Sequence, residues 1–299
     1  MKIVNIIVTY NRVKSLQIVF ENLISKGWEN IVLIDNCSTE DVCKLVDAYK
    51  NKIKIIYSRL NKNYGSSGGF HHGLKLFIQH FKKTDYALLH DDDSWPSFNY
   101  DLLSNEIGVL KKNIFCLPVV DTENHINKMN IPGRAAFLNN PFLFFKNRKI
   151  NQIKEDDVYR KVDYASFVGL GINYKIIQKY GLPSKEFFIY SDDTYYTLSI
   201  NKYEDLFFID KKELSFIHDC KRSTGKTLID GKFINYEIIN KIVLLRTFSK
   251  FHPLFCLFFL IKSLINSPKR ATKIISFFIQ GYNQNIQSYK NIKIENIKK

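Results

Sequence analysis

The chain has 299 residues, 45% of them hydrophobic, enough for a real core in one large α/β domain or one domain with an appendage. Five scattered cysteines, Cys37, Cys43, Cys116, Cys220 and Cys256, show no paired metal-ligand spacing; they exclude a disulfide framework and fit a reducing cytoplasm. The formal charge of +15 is concentrated at one end: residues 240–299 carry eleven Lys and Arg against the single Glu295, leaving only +5 for the rest. A tail of that kind suits nucleic acid or an anionic membrane surface.

Ile3 to Val8 is an apolar run broken only by Asn5, which predicts a strand ending at Thr9-Tyr10-Asn11-Arg12. Met1 to Asn5 enters that strand directly, with no signal-peptide pattern. Val13, Leu16, Val19, Phe20, Leu23 and Ile24 then recur at a helical period that Gly27 closes. Ile31 to Ile34 is a second buried strand, ending in Asp35-Asn36. Ser38 or Thr39 is expected to cap the next helix, with Glu40 and Asp41 in its first turn. Lys54 to Ser58 reads as a third strand. Strands alternating with helices argue for a parallel sheet with right-handed crossovers, in which ligands bind beyond the carboxyl ends of the strands.

The segment from Asn61 to Leu74 is rich in glycine and precedes a helix predicted over residues 70–82. Gly65, Gly68 and Gly69 can let backbone N–H groups approach a diphosphate, although a flexible turn explains them equally well. The stretch lacks the Lys-Ser/Thr ending of a P-loop.

Tyr86 to Leu89 reads as a buried strand that runs out into Asp91-Asp92-Asp93. Three adjacent acids repel, and a divalent cation answers them better than any other partner. Hard oxygen ligands suit Mg²⁺ or Mn²⁺. Alternation along an extended chain lets Asp91 and Asp93 face one ion while Asp92 points elsewhere; the alternative is a solvated acidic turn. Asp101 to Lys112 predicts a helix and Ile114 to Val120 a strand, followed by an irregular region to Arg160 with turns at Pro132-Gly133 and Asn139-Asn140-Pro141.

Ile172 to Tyr180 predicts a helix stopped by Gly181 and Pro183. Phe187 to Tyr190 reads as an aromatic strand leading into Ser191-Asp192-Asp193 and a helix to about Lys202. This second acidic pair is either catalytic or a helix cap with a first-turn acid. Phe207 to Asp210 is a further strand, and Leu214 to Cys220 alternates, ending at His218. A lone histidine is often merely structural, but two carboxylates and one imidazole form a sound site for Mn²⁺ or Mg²⁺ with positions left open for phosphate oxygens. The tail begins near Tyr236. Its apolar run Leu254 to Ile261 is shorter than the ~20 residues a membrane span needs. Basic residues beside Ile274, Phe277 and Phe278 describe an interfacial helix, or helices packed on the body or in a dimer seam.

The residues Ile7 to Arg12, Leu33 to Thr39 and Asn63 to Phe70 resemble the opening motifs of GT-A glycosyltransferases of family 2, and Asp91-Asp92-Asp93 resembles their Asp-x-Asp metal motif. The resemblance spans roughly residues 1 to 222. Within the family, the triple Asp, Asp192-Asp193 and His218-Asp219 look most like bacterial galactofuranosyltransferases and their rhamnosyltransferase relatives. Ser191 replaces the usual Trp before the second acidic pair, and Cys37 the usual Gly.

The resemblance implies a GT-A α/β fold over residues 1–235 with a helical appendage over 236–299. It implies inverting sugar transfer from a UDP- or dTDP-linked donor to a glycan or lipid-linked glycan. Asp35 and Asn36 would meet the base or ribose, with Thr9, Tyr10, Asn11 and Arg12 nearby. Asn63 and the Gly65–Gly69 loop would lie along the nucleotide, and Asp92 would face the donor ribose or sugar. Asp91, Asp93 and His218 would hold Mn²⁺ or Mg²⁺, and Asp193, or less favourably Asp192, would act as general base. The expected location is cytoplasmic, at the inner face of the cell membrane, with a homo-oligomer allowed. A nucleotidyltransferase would show a basic Gly-rich loop after the first strand, which Thr9 to Arg12 does not provide. A nucleic-acid-binding protein would spread its basic residues along a recognition element.

Overall fold

All seven residues of β1, Ile3–Thr9, are buried, the pattern of a central parallel strand covered on both faces. In the computed structural model, which describes residues 1–145, 158–220 and 233–284, β1 pairs in parallel with β2 (Asn30–Asp35) and β4 (Tyr86–Asp91). β3 (Lys54–Arg59) adds to β2. The remaining members of this sheet are β6 (Ile114–Cys116), β8 (Tyr159–Val162), β9 (Leu170–Asn173) and β10 (Leu206–Ile209), giving the order β3-β2-β1-β4-β9-β6-β10-β8. β9 is antiparallel to both neighbours. A small second sheet, β5-β11-β7, joins Ser94–Pro96, Phe216–His218 and Val119–Val120.

The alternation along β1 sorts its side chains into two cores. Ile3 and Ile7 join Leu16, Phe20 and Leu23 of α1 (Val13–Ser25), while Val4, Ile6 and Val8 join Phe70, Leu74 and Phe77 of α3 (Gly65–His80). α4 (Tyr100–Leu110) lies on the first side and α6 (Tyr174–Tyr180) on the second. The glycine-rich stretch is not the free loop expected before Phe70: α3 begins five residues earlier. A Cβ on Gly69 would stand 2.4 Å from Val8 Cγ1, and one on Gly73 2.5 Å from Ile6 Cγ2. These glycines let the helix lie directly on β1.

Four other expectations need correction. α2 (Val42–Tyr49) is capped by Asp41, whose carboxylate accepts from Lys44 N, because the residues expected to cap it are committed to Asn11. Ser38 Oγ accepts from Asn11 N, and both N–H and O–H of Thr39 donate to Asn11 Oδ1. The run Ile114 to Val120 is two strands in two sheets, parted at Leu117-Pro118. Ile172 belongs to β9, and α6 starts at Tyr174 behind the cap Asn173, whose Oδ1 accepts from Lys175 N. Phe187 to Tyr190 is a tight turn rather than a strand, with left-handed φ of 60° at Phe188 and 69° at Tyr190.

The short helix α5 (Pro141–Phe145) falls in the region expected to be irregular, of which residues 146–157 lie outside the described residues. After α7 (Asp192–Asn201), the tail forms α8 (Ile234–Phe248), α9 (His252–Asn266) and α10 (Ala271–Asn283). It packs on the body: Ile239 and Val243 of α8 cluster with Phe187 and Tyr195, and Phe255 of α9 stacks on Phe144 at 3.8 Å. Among the described residues no helix is long and apolar enough to cross a membrane. Lys290, Lys293, Lys298 and Lys299 lie outside the described residues.

Candidate active site

The carboxyl ends of β1, β2 and β4 lie side by side, so Thr9 to Arg12, Asp35-Asn36 and Asp91 to Asp93 share one edge of the sheet. β11 brings the histidine to the same place from far along the chain. Its register against β5 sets His218 opposite Ser94, and Asp219 N donates to Asp93 O at 2.9 Å. Ligand atoms of Asp91, Asp93 and His218 then fall within 4.8 Å of one another.

The histidine tautomer follows from its neighbours. Ser166 Oγ donates to Val168 O, so it accepts from Asn130 Nδ2 at 2.8 Å, which turns Asn130 Oδ1 toward His218. His218 Nδ1 then donates to Asn130 Oδ1 at 3.0 Å, the shorter of its two contacts, since Asn127 Nδ2 is 3.5 Å away and donates to Cys220 Sγ at 3.1 Å; Nε2 is left facing the carboxylates. Asp93 Oδ1 lies 3.3 Å from that nitrogen; it is buried and, among the described residues, has no aligned hydrogen bond. A buried carboxylate oxygen whose nearest partner is a poorly aligned imidazole nitrogen, with the second carboxylate of Asp91 close by, fits a divalent cation. Asn130 and Ser166 sit where the sequence shows no periodicity, and nothing in their spacing marks them as a histidine's anchor.

Burial pushes the Asp91 carboxyl up to about 6, against the pull of His218. At Asp93 burial works upward too, but His218 and Arg12 outweigh it and hold that group below the usual carboxylate range. Burial would lower the His218 imidazole; Asp93 and Asp91 overcome it and hold it above its ordinary value.

Asp92 turns away from the triad. It accepts from Thr9 Oγ1 at 2.8 Å, Tyr10 N at 3.2 Å and Arg12 Nη1 at 3.2 Å, and Arg12 also bridges to Asp93. Burial pushes Asp92 up to about 7 even so. Asp35, fully buried, accepts from Ser38 N at 2.8 Å and Tyr57 O–H at 3.0 Å, with Arg59 3.4 Å away. Asn36 is engaged at both ends, its Nδ2 donating to Gly65 O and its Oδ1 accepting from Tyr64 N. Asn63 Oδ1 accepts from Gly65 N. Asn36 and Asn63 thus hold the start of α3 from two sides. Gly65 and Gly68 are themselves packed against protein, a Cβ on Gly65 falling 1.9 Å from Phe188 O.

Asp192 and Asp193 open α7 behind Ser191, itself left-handed at φ 61°. Asp192 is buried and accepts from Ser66 Oγ at 2.8 Å; Asp193, half-buried, accepts from Thr194 N at 2.6 Å. Burial raises both, and at Asp192 the neighbouring Asp193 raises it further. The Asp193 charge also raises Asp91, as the weakest of several neighbouring effects.

A sequence model described as Glycosyl transferase family 2 matches residues 5–181, more than half of the chain. The chain belongs to that family. No curated protein matches the family 2 chain by sequence. Its structure resembles that of S. aureus TarS 1–349 in complex with UDP, at 17% identity and a TM-score of 0.55, over 95% of this chain and 81% of that one. The same TarS fragment in complex with UDP-GlcNAc gives 17% identity and 0.53, over 94% and 81%. GalNAc-T7 with UDP, GalNAc and Mn²⁺ gives 12% and 0.53, over 94% of this chain and 58% of that one. At such identities the likeness establishes the GT-A fold; family membership establishes a glycosyltransferase.

Proposed function

We propose that the enzyme transfers a hexose, with galactofuranose or rhamnose the leading choices, from a UDP- or dTDP-linked donor to a hydroxyl of a cell-surface glycan or its lipid-linked precursor, with inversion. The observation that carries this reading is the convergence of Asp91, Asp93 and His218 at the sheet edge, their ligand atoms within 4.8 Å of one another. Those three residues would hold Mn²⁺ or Mg²⁺, which when bound neutralises charge developing on the departing diphosphate. The structural neighbours that hold UDP support a nucleotide-sugar donor.

The remaining roles fall to residues around the triad. Thr9, Tyr10 and Arg12 fix Asp92, which faces the donor ribose or sugar. Asp35 meets the base or ribose, while Asn11, Asn36, Asn63 and the helix-opening Gly65, Gly68 and Gly69 shape the nucleotide's bed. Asp192 is buried and tied across the fold to Ser66, whereas Asp193 is more exposed and accepts from its own neighbour Thr194. Asp193 therefore takes the acceptor proton as the hydroxyl attacks the anomeric carbon opposite the leaving diphosphate.

The acceptor is reached at an anionic membrane surface. Leu254, Leu257, Phe258, Ile261 and Ile265 are exposed at helical spacing along one side of α9, and Lys250, Lys262, Lys269 and Lys273 are exposed around them. No acid occurs between residues 238 and 284.

The test is a panel of UDP-galactose, UDP-galactofuranose, UDP-N-acetylglucosamine and dTDP-rhamnose with Mn²⁺, scored for release of the nucleoside diphosphate. Slow release from one donor is the expected result. No release from any, with no binding of UDP or dTDP, overturns the reading.

A further inference from the structure

The turn that delivers the second acidic pair is held from outside the family-matched segment. Phe187 to Ser191 takes left-handed φ at three non-glycine residues, Phe188, Tyr190 and Ser191. Such backbone persists only where its surroundings over-determine it. The carbonyls so exposed turn toward α8, where the buried Asn240 sets its Nδ2 2.9 Å from Phe187 O, 2.8 Å from Ile189 O and 2.9 Å from Tyr190 O. Two amide protons are thus shared among three acceptors. On the opposite side the start of α3 holds the intervening carbonyl: Ser67 N donates to Phe188 O at 3.2 Å, and Ser66 Oγ lies 3.4 Å from it while donating to Asp192. The turn is clamped between a helix lying on the sheet and a helix of the tail. The next residues out of the clamp are Asp192 and Asp193.

We propose that Asn240 is a positioning residue for the transfer step. It holds the left-handed turn and so fixes where the carboxylate of Asp193 stands relative to the acceptor hydroxyl and to Asp91, Asp93 and His218. The inference rests on the reading of Asp193 as general base. It adds that α8, outside residues 5–181 of the family match, is part of the catalytic apparatus. A base displaced by an ångström loses alignment with its proton, whereas a nucleotide held mainly at the ends of β1, β2 and β4 touches the turn only through the start of α3 and loses less.

Asn240→Asp tests this, since it keeps the volume but sets carboxylate oxygens against the three carbonyls. Asn240→Gln retains the amide. Ser66→Ala, at a half-buried position, loosens the same turn from the other side without a core change. Each is compared with the wild-type full chain in transfer kinetics with the donor found active in the panel, and in calorimetric binding of UDP with Mn²⁺. The expected result is a kcat lower by about 100-fold for Asn240→Asp and about 10-fold for Ser66→Ala, with donor KM and UDP affinity within about two-fold of wild type. Asn240→Gln should recover part of the loss. Unchanged kcat in Asn240→Asp overturns the inference, as does a parallel loss of kcat and UDP affinity in both variants. If Asn240→Asp does not fold, Asn240→Ala, which removes the amide without adding charge, decides on the same criteria. A wild-type chain that releases nothing from any donor defeats the functional reading instead, before any variant is made.

Discussion

Each of the acids around the triad has its role set by the donor it meets. Asp92 is satisfied three times by Thr9, Tyr10 and Arg12, Asp192 by Ser66, and one oxygen of Asp93 has, among the described residues, only the poorly aligned His218 beside it. Replacing Asp193 with Ala should cut turnover by about 10²- to 10⁴-fold, the usual worth of a general base, while calorimetry still shows UDP binding with Mn²⁺. Asn130→Leu removes the acceptor that fixes the His218 tautomer and should weaken Mn²⁺ binding by about 10- to 100-fold. The acidity of the ligands adds a pH dependence. Asp91, lifted to about 6 by burial, and His218, raised by its two carboxylate neighbours over the opposing effect of burial, must both lose protons to bind a cation. Protonation therefore competes with the ion, and Mn²⁺ affinity should climb as pH rises through about 6 and beyond the ordinary imidazole range. A flat titration profile between about pH 5 and pH 8 would contradict that coupling. The acidic triplet and His218 were legible because strand ends and charge are visible in a linear string. Asn130 and Ser166 were not, because a hydrogen bond across 88 residues leaves no periodic trace.

Elements with strong patterning were read closely. The expected α1 and the observed one coincide at Val13–Ser25, since six apolar residues repeat at one period and nothing competes. Expectation failed where polar residues had rival partners or where backbone conformation overrode propensity. Ser38 and Thr39 are good caps in isolation, but Asn11 claims both, so Asp41 caps α2. Asp41→Ala should lower stability by about 1 kcal/mol, read from chemical denaturation. Phe187 to Tyr190 has the composition of a strand but turns through left-handed residues, its carbonyls held by Asn240, 51 residues from Ile189, and by Ser67. The glycines of α3 illustrate the same limit: flexibility and close packing look alike in sequence. Gly69→Ala would force a Cβ against Val8, and overpacking of this kind should lower stability by about 1 to 3 kcal/mol, seen as a reduced Tm with circular dichroism unchanged at low temperature.

Across the whole molecule, the tail has two faces with different work. Its inner face packs on α7 and the turn before it; its outer face carries an apolar stripe with lysines around it and no acid. Cutting the chain at residue 240 would remove both at once, so vesicle binding is better tested with point charges. Leu257→Glu with Ile261→Glu should abolish sedimentation with phosphatidylglycerol vesicles while leaving donor hydrolysis intact; retained sedimentation would show that this stripe is not the contact. The fold itself rests on the parallel half-sheet, whose carboxyl edge gathers residues 9 to 12, 35 to 36 and 91 to 93, and on β11, which returns His218 to it. Whether that gathering forms one ion site is decided by a crystal of the full chain grown with UDP and Mn²⁺ and measured at the manganese absorption edge. An anomalous peak between the side chains of Asp91, Asp93 and His218 is the predicted result. A diphosphate bound at the sheet edge with no manganese between these three side chains would contradict it.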